Sequence, residues 1–357
     1  MAKKKKTETS EKVVKVESVD VIKKSIEKKY GDVLKMMGEK PLIIDTISTR
    51  SLGLDSALGR GGIALGRHYE FYGENSSGKT TLAMSVIAEA QSRGMTALFV
   101  DAEHSADREL FKSMGVDIDK LLVIDAYTGE KNLMVAETLI KNGGIDLLVI
   151  DSVTALIPEV MADEALDKDS MALLARLMSK ALLRLVPLAA QTNTCVIWVN
   201  QTRLKIGGYG NPETTTGGTA LPFYATGRIR ISGIGAKANR IVDDGGMVVG
   251  HKTFFEVVKN KLSAPFKKSE ANLIYGVGYD LEGEIINIAT DLGILEKSGS
   301  WYKYNDNNIG QGENGVRQFF KEMPEVFSTI KDEVIIVLGL DPFYKAQKER
   351  DKKVRGK

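Results

Sequence analysis

The chain has 357 residues, with 49 Lys+Arg against 47 Asp+Glu for a formal charge of +2, and 43% of its side chains are hydrophobic. That length exceeds what one hydrophobic core organises and the apolar content excludes wholesale disorder, so a large domain with one or two smaller pieces is expected. No apolar run approaches the ~20 residues that span a bilayer, the start MAKKKKTETSEK reads as no secretory signal, and the single Cys195 excludes an intramolecular disulfide or a cysteine-based zinc site and fits a reducing cytoplasm.

The charge is unevenly placed. Residues 1–16 hold six lysines and two glutamates, a net of +4. Residues 345–357 hold seven basic and two acidic side chains, a net of +5, which leaves −7 for residues 17–344. The expectation is an acidic body between two basic, low-complexity ends that lack fixed structure. Such ends either solubilise the chain or are attracted to phosphate backbones.

In chain order, Val21, Ile22, Ile26, Tyr30 and the pair Val33 and Leu34 recur at helical spacing, and residues 42–48 (LIIDTIS) read as an isolated short strand. A detached helix and strand cannot bury their faces alone, so both must dock on the body or on a neighbouring copy. From Tyr69 to about Ile231 strands and helices alternate. Strands are predicted at HYEFYG, 96–101, 121–127, 146–151 and 194–200, and helices at 80–93, near 107–114, at 130–142 and at 171–190. The strands are continuous apolar runs, as in sheets covered on both faces, so the pattern predicts an α/β fold with a mostly parallel, doubly wound sheet. RIRIS (228–232), MVVG and TFFEVVKN (253–260) follow without full helices, so the sheet is expected to end in antiparallel strands. Beyond about Gly276, short helices and Gly-rich turns read as a small α+β domain. The expected divisions are a tail at 1–16, a helix and strand at 17–49, a core at 50–275, the small domain at 276–344 and a basic tail at 345–357.

The segment from Gly73 through Glu74, Asn75, Ser76, Ser77 and Gly78 to Lys79 and Thr80 fits G-x-x-x-x-G-K-[ST], after a strand and opening a helix. Its glycines let backbone N–H groups face a phosphate, and the helix N-terminus adds favourable potential. Lys79 is expected to hold β/γ oxygens and Thr80 to ligate Mg²⁺, so this site reads as nucleotide-binding. DLLVID ends in Asp151, where a carboxylate can support the Mg²⁺ through a water. VDAEH places Glu103 on the same rim, where it can align and deprotonate an attacking water. His68, His104 and His251 read as structural.

Asn200, Gln201 and Arg203 leave the end of a further strand, where a polar amide can sense the γ-phosphate. Residues 204–218 (LKIGGYGNPETTTGG), with Lys205 and Tyr209, are too long and too polar for a plain connection. They suit a nucleic-acid-contacting element that orders on binding, or else form an ordinary surface loop.

The strings GENSSGKTT, VDAEH, LLVIDSVTAL, VNQTRLKIG, GNPETTTGG, ALPFYATGR, VVKNKLSAPF and GSWYKYNDNNIGQG resemble segments of the bacterial RecA recombinase family, in its order. DTISTRSL resembles another, and the likeness runs from about Val21 to Glu325. It implies a P-loop core of the RecA type and a DNA-dependent ATPase that catalyses strand exchange. ATP and Mg²⁺ would lie at Gly73 to Thr81, with Asp107 at the adenine. Lys79 and Thr80 would handle phosphate and metal, Glu103 would activate the water, Asp151 would support the metal and Gln201 would sense the γ-phosphate. Lys259 and Lys261 would reach the γ-phosphate of the neighbouring subunit. One DNA loop would lie around 159–170, with Arg176 after it. The second would be 204–218, contacting DNA through Arg203, Lys205, Tyr209, Asn211, Thr216, Gly217 and Gly218.

The implied partners are single-stranded DNA, homologous duplex and further copies in a head-to-tail filament, joined through the N-terminal helix and strand. No membrane partner is implied. Four features depart from the family pattern. Leu110 stands where an adenine-stacking aromatic is usual, Pro222 where a basic residue is usual, the C-terminal tail is basic, and the loop KIGGYGN is one residue shorter. They mark a divergent member, of a kind a bacteriophage could encode and its host cytoplasm contain. The alternatives are a hexameric helicase on the same core and a P-loop small-molecule kinase.

Overall fold

The computed structural model describes residues 18–31, 33–34, 36–39, 43–162, 170–204, 213–233, 237–243 and 245–355. Two compact units divide at Leu42 and Ile43. In the first, helix α1 (Val19–Tyr30) ends at Gly31, whose φ of 78° no β-carbon-bearing residue adopts cheaply. None of its residues is buried, and Val19, Val21 and Ile22 are exposed.

The second unit opens with β1 (Thr46–Ile47), α2 (Leu52–Leu58) and β2 (Ile63–Ala64). Strand β3 (His68–Gly73) and helix α3 (Lys79–Ser92) begin the alternation. It continues through β4 (Ala97–Asp101), α4 (Arg108–Ser113), β5 (Leu122–Ile124), α5 (Gly129–Lys141), β6 (Leu147–Asp151), α6 (Glu159–Ala162), α7 (Ser170–Thr192), β7 (Cys195–Leu204), β8 (Glu213–Thr215), α8 (Ala220–Tyr224) and β9 (Gly227–Ser232). After β10 (Arg240–Val242) come β11 (Val248–Asn260), β12 (Lys268–Ile274) and β13 (Gly278–Tyr279). The sheet runs β13-β12-β11-β9-β3-β7-β6-β4-β5, parallel from β9 to β5 and antiparallel from β9 outward to β13. Alternate residues feed opposite faces. Ala97, Phe99, Leu147 and Val149 join the core beneath α3, whereas Leu98, Val100, Leu148 and Ile150 join the core beneath α5 and α7.

A third core belongs to the small C-terminal domain, with α9 (Leu281–Asp291), the antiparallel strands β14 (Glu296–Ser298), β15 (Trp301–Tyr304) and β16 (Asn307–Gln311), α10 (Gly312–Glu322) and α11 (Pro324–Val337). Its joint with the large domain is a buried carboxylate. Glu284 of α9 accepts from Ser51 Oγ at 2.6 Å and from the Leu52 and Gly53 N–H groups at 3.0 Å, satisfying the open donors at the start of α2. Burial pushes its pKa up to about 7 despite these donors.

Two expectations are corrected. The strand at 42–48 is not detached: β1 pairs antiparallel with β2, Thr46 and Ile47 are buried, and Arg93 Nη1 donates to the Thr46 carbonyl. Residues 345–355 are not an unstructured tail. They continue helix α12 (Asp341–Arg355), which packs on the large domain. Tyr344 donates to Asp55 at 2.8 Å, the buried Gln347 donates to Thr46 Oγ1 and the Gly61 carbonyl, Arg350 donates to Asp146, and Asp351 accepts from Arg93 at 3.0 Å. These side chains fall about one helical turn apart, so a sequence rich in charge still presents one continuous docking face. The basic end at 1–16 lies outside the described residues.

Because Glu284 titrates higher in the folded chain than its ordinary 4.5, the folded state holds the extra proton between the two values. Stability is therefore expected to fall as pH rises from about 4.5 to 7, by on the order of 3 kcal/mol from this group. Glu284→Gln, which mimics the neutral acid, should flatten that part of the urea-midpoint profile. An identical slope in the variant would show that Glu284 is ionised throughout.

Candidate nucleotide and DNA site

The phosphate loop leaves β3 at Gly73 and enters α3 at Lys79. It needs left-handed backbone at Ser76 (φ 59°) and Gly78 (φ 96°). A side chain at Gly78 would also meet the Tyr279 hydroxyl at 2.9 Å, so glycine is required there on both counts. Tyr279 OH donates to the Gly78 carbonyl at 3.2 Å and pins the loop from β13. Lys79 Nζ donates to the Glu74 carbonyl at 2.6 Å, within the loop itself. Burial lowers the Lys79 pKa, opposed by Asp151, Glu103 and Glu74.

The strand register gathers the carboxylates. Asp101 of β4 lies opposite Asp151 of β6, at the ends where parallel strands present their loops. Thr80 Oγ1 donates to Asp151 Oδ2 at 2.6 Å. Burial raises Asp151 to about 6, with the Thr80 hydrogen bond and Lys79 pulling down and Glu103 pushing up. Glu103 is exposed, and its carboxylate accepts from Ser152 Oγ at 2.5 Å. The Asp101 carboxylate accepts from the Ser105 and Ala106 N–H groups, which folds the turn around His104 (φ 51°) and projects Glu103 outward.

A cavity of about 210 Å³ beside the loop is lined by residues 76–81, His251, Leu273 and Tyr275. Tyr275 was not singled out in the sequence, although Leu273 and Tyr275 share one face of the β12 direction and so both reach the loop. His251 is buried and bonded to the Tyr275 hydroxyl at 3.2 Å, and burial lowers its pKa. Asp107 does not line this cavity. Its Oδ1 accepts from the Leu110 N–H at 2.7 Å as the cap of α4, and it borders a separate cavity with Phe99 and Phe111. Leu110 is 40% exposed. His68, by contrast, behaves as expected: it is buried, accepts from Trp198 Nε1 at 3.1 Å, and burial lowers it to about 4.

Gln201 pairs in register with Gly73, so the amide after β7 stands beside the first residue of the phosphate loop. Asn200 is fully buried and bridges two elements: its Nδ2 lies 2.9 Å from Glu70 Oε1 and 2.9 Å from the Thr216 carbonyl. Glu70, also fully buried, accepts from Arg228 Nε at 2.5 Å, and Arg230 holds Glu213 through two bonds. Arg176 and Arg203 are exposed. Lys205, Tyr209 and Asn211 lie outside the described residues, as do residues 163–169 of the first loop. Gly217 and Gly218, with φ of 90° and 80°, seat tightly instead: an added β-carbon would meet Val153 at 3.0 Å and Ala175 at 2.9 Å. They anchor the end of the second loop against α7 and its neighbours.

Lys259 and Lys261 do not face the phosphate loop of their own chain. Lys259 Nζ donates to the Pro222 and Phe223 carbonyls at 2.6 and 2.8 Å, and Lys261 to Phe223 and Tyr224, at the C-terminal end of α8. Burial, then the Lys261 and Arg228 charges, lowers Lys259 to about 8. Pro222 thus serves here through its carbonyl.

The RecA N-terminal domain matches residues 17–280, and the RecA C-terminal domain matches residues 283–339. Protein RecA of Rickettsia canadensis is 48% identical over 310 residues, covering 86% of this chain and 89% of the relative. Protein RecA of Lactobacillus johnsonii is 43% identical over 344 residues, covering 96% and 94%. A crystal structure of the RadB recombinase aligns over 66% of this chain at 21% identity with a TM-score of 0.49.

Asn200→Ala is expected to leave one Glu70 oxygen and the Thr216 carbonyl without a donor, costing roughly 2 kcal/mol or more in the urea-unfolding free energy. Asn200→Asp should cost more, since it places a second carboxylate beside Glu70. Wild-type midpoints for both variants would remove Asn200 from any structural role.

Proposed function

We propose that this chain, which belongs to the RecA family, is an ATP-dependent DNA strand-exchange protein of recombination and repair, working as a head-to-tail helical filament on single-stranded DNA. One observation carries the reading at the level of the site: the strand that holds Gln201 beside the phosphate loop also holds Asn200 on the base of the second loop. A change at the nucleotide therefore has a short, rigid route to the segment assigned to DNA.

In this reading Lys79 exchanges the Glu74 carbonyl for β/γ-phosphate oxygens, while the N–H groups of residues 76–80 surround the phosphates. Thr80 Oγ1 and Asp151, hard oxygen donors side by side, fit Mg²⁺, which would offset phosphate charge when bound with the nucleotide. Glu103, oriented by Ser152, aligns the attacking water and accepts its proton. Gln201 senses the γ-phosphate. Tyr275 and His251 supply a wall for the nucleoside, beside or in place of Asp107 and the aliphatic Leu110. Lys259 and Lys261 are held at the outer end of α8, which suits cations that act on a neighbouring protomer's nucleotide and so tie hydrolysis to assembly. Arg176 and Arg203, with Lys205, Tyr209, Asn211 and Thr216, contact DNA mostly at phosphate, and sequence is read by base pairing. The exposed apolar residues of α1 provide the surface that a neighbouring copy covers.

With ATP and Mg²⁺, the chain is expected to form joint molecules between homologous single-stranded and duplex DNA, scored by gel. Loss of pairing in a preparation that still hydrolyses ATP on DNA would overturn the reading. Lys79→Ala should abolish DNA-stimulated hydrolysis, and persisting turnover would contradict the assigned phosphate site.

The double variant Lys259→Ala/Lys261→Ala should bind nucleotide normally yet lose DNA-stimulated turnover by ~100-fold or more, as when charge-stabilising donors are removed. Unchanged turnover would refute their action in trans.

A further inference from the structure

A second cavity, of about 450 Å³, lies where α3, α11 and α12 meet. Four cationic side chains line it, each from a different element: Arg50 before α2, Arg93 after α3, Lys331 on α11 and Lys348 on α12. It has two carboxylates, and both are already engaged. Glu89 pairs with Arg50 at 3.2 Å, and Asp351 pairs with Arg93 at 3.0 Å. Among the described residues, Lys331 and Lys348 have no acidic partner.

Arg93 is the most telling member. It is 4% exposed, its Nε and Nη1 are bonded to Asp351 and the Thr46 carbonyl, and its Nη2 is buried with no hydrogen-bond partner among the described residues. Asp351 answers the Arg93 charge and Glu89 that of Arg50, so the uncompensated positive charge of this cavity lies on Lys331 and Lys348, with one Arg93 donor left over in its wall. None of the phosphate-loop residues lines this cavity. α12 lies beyond the segments matched to the RecA domains, which end at residue 339.

The geometry points to a binding site for a small phosphate-bearing anion in this cavity, separate from the nucleotide site. Lys331 and Lys348 act as direct point-charge ligands, and Arg50 and Arg93 set the positive potential of the inner wall. The volume exceeds that of a lone phosphate and matches pockets that enclose small organic ligands, so a di- or triphosphate group fits the charge and the space. Tyr279 also lines the cavity while donating to the Gly78 carbonyl, so the bound anion sits one side chain away from the phosphate loop.

The test is calorimetric titration of inorganic pyrophosphate, at ionic strength held constant with NaCl, into the full chain carrying Lys79→Ala to disable the phosphate loop. Saturable binding is expected, weakened ~10-fold or more when Lys331→Gln and Lys348→Gln are added, since charge-assisted bonds are lost. Both lysines are at least partly exposed and bond to nothing the fold needs, so the fold should survive, checked by an unchanged melting temperature. No saturable binding in the Lys79→Ala chain overturns the site. So does equal affinity with both lysines replaced, which would place the anion at the phosphate loop or the DNA surface.

Discussion

The structure depends on one buried carboxylate. Glu70 sits in the middle of β3, the strand that delivers the phosphate loop, and has no access to water. A carboxylate there survives only if its neighbours neutralise it. Arg228 supplies the counter-charge from β9 on one side and Asn200 a neutral amide donor from β7 on the other, so the carboxylate fastens the strand to both of its partners. Each partner is also committed further out. Asn200 reaches the Thr216 carbonyl, Arg228 reaches Thr215 Oγ1 at 3.4 Å and stacks over Tyr72, and Arg230 holds Glu213. The polar chain from phosphate loop to the returning end of the second loop thus follows from satisfying a single charge.

Such a network is rigid because its central members, Glu70 and Asn200, are buried and bonded on both sides. The amide Asn200 is read in sequence as a possible phosphate sensor, but both hydrogens of its Nδ2 group are committed to Glu70 and Thr216. That leaves Gln201, opposite Gly73, as the amide with freedom to respond. A rigid residue and a freer one, adjacent on one strand, would give the proposed coupling of nucleotide to DNA a physical basis.

The α/β alternation, the phosphate loop and the carboxylates at the strand ends were legible because each rests on local pattern: apolar runs, a glycine spacing, an acid after a strand. What stayed hidden depended on distant partners. β1 is two residues long, and it is tied to the body by partners distant in sequence: β2, Arg93 and Gln347. Tyr275 reaches the phosphate loop through antiparallel strands whose register no spacing reveals. α12 misled through composition: a run of lysines and arginines reads as a solvated tail. Yet Tyr344, Gln347 and Asp351 recur at helical spacing, and polar residues can form a docking face when the opposing surface supplies Asp55, Thr46 and Arg93.

That helix also changes the meaning of the near-neutral charge. Lys345 pairs with Asp341, and Arg350 with Asp45 and Asp146, so part of the basic C-terminal charge is answered within the chain. Charge engaged in this way is not free to neutralise DNA phosphate, because exchanging an internal carboxylate for an external phosphate gains little. The attraction proposed for DNA then falls to Arg176, Arg203, the lysine of the second loop and the rest of the basic charge at the two ends, repeated along a filament. An acidic body suits that arrangement. Its net negative charge would weaken attraction of DNA to the body as a whole, and so favour the loops proposed to contact it.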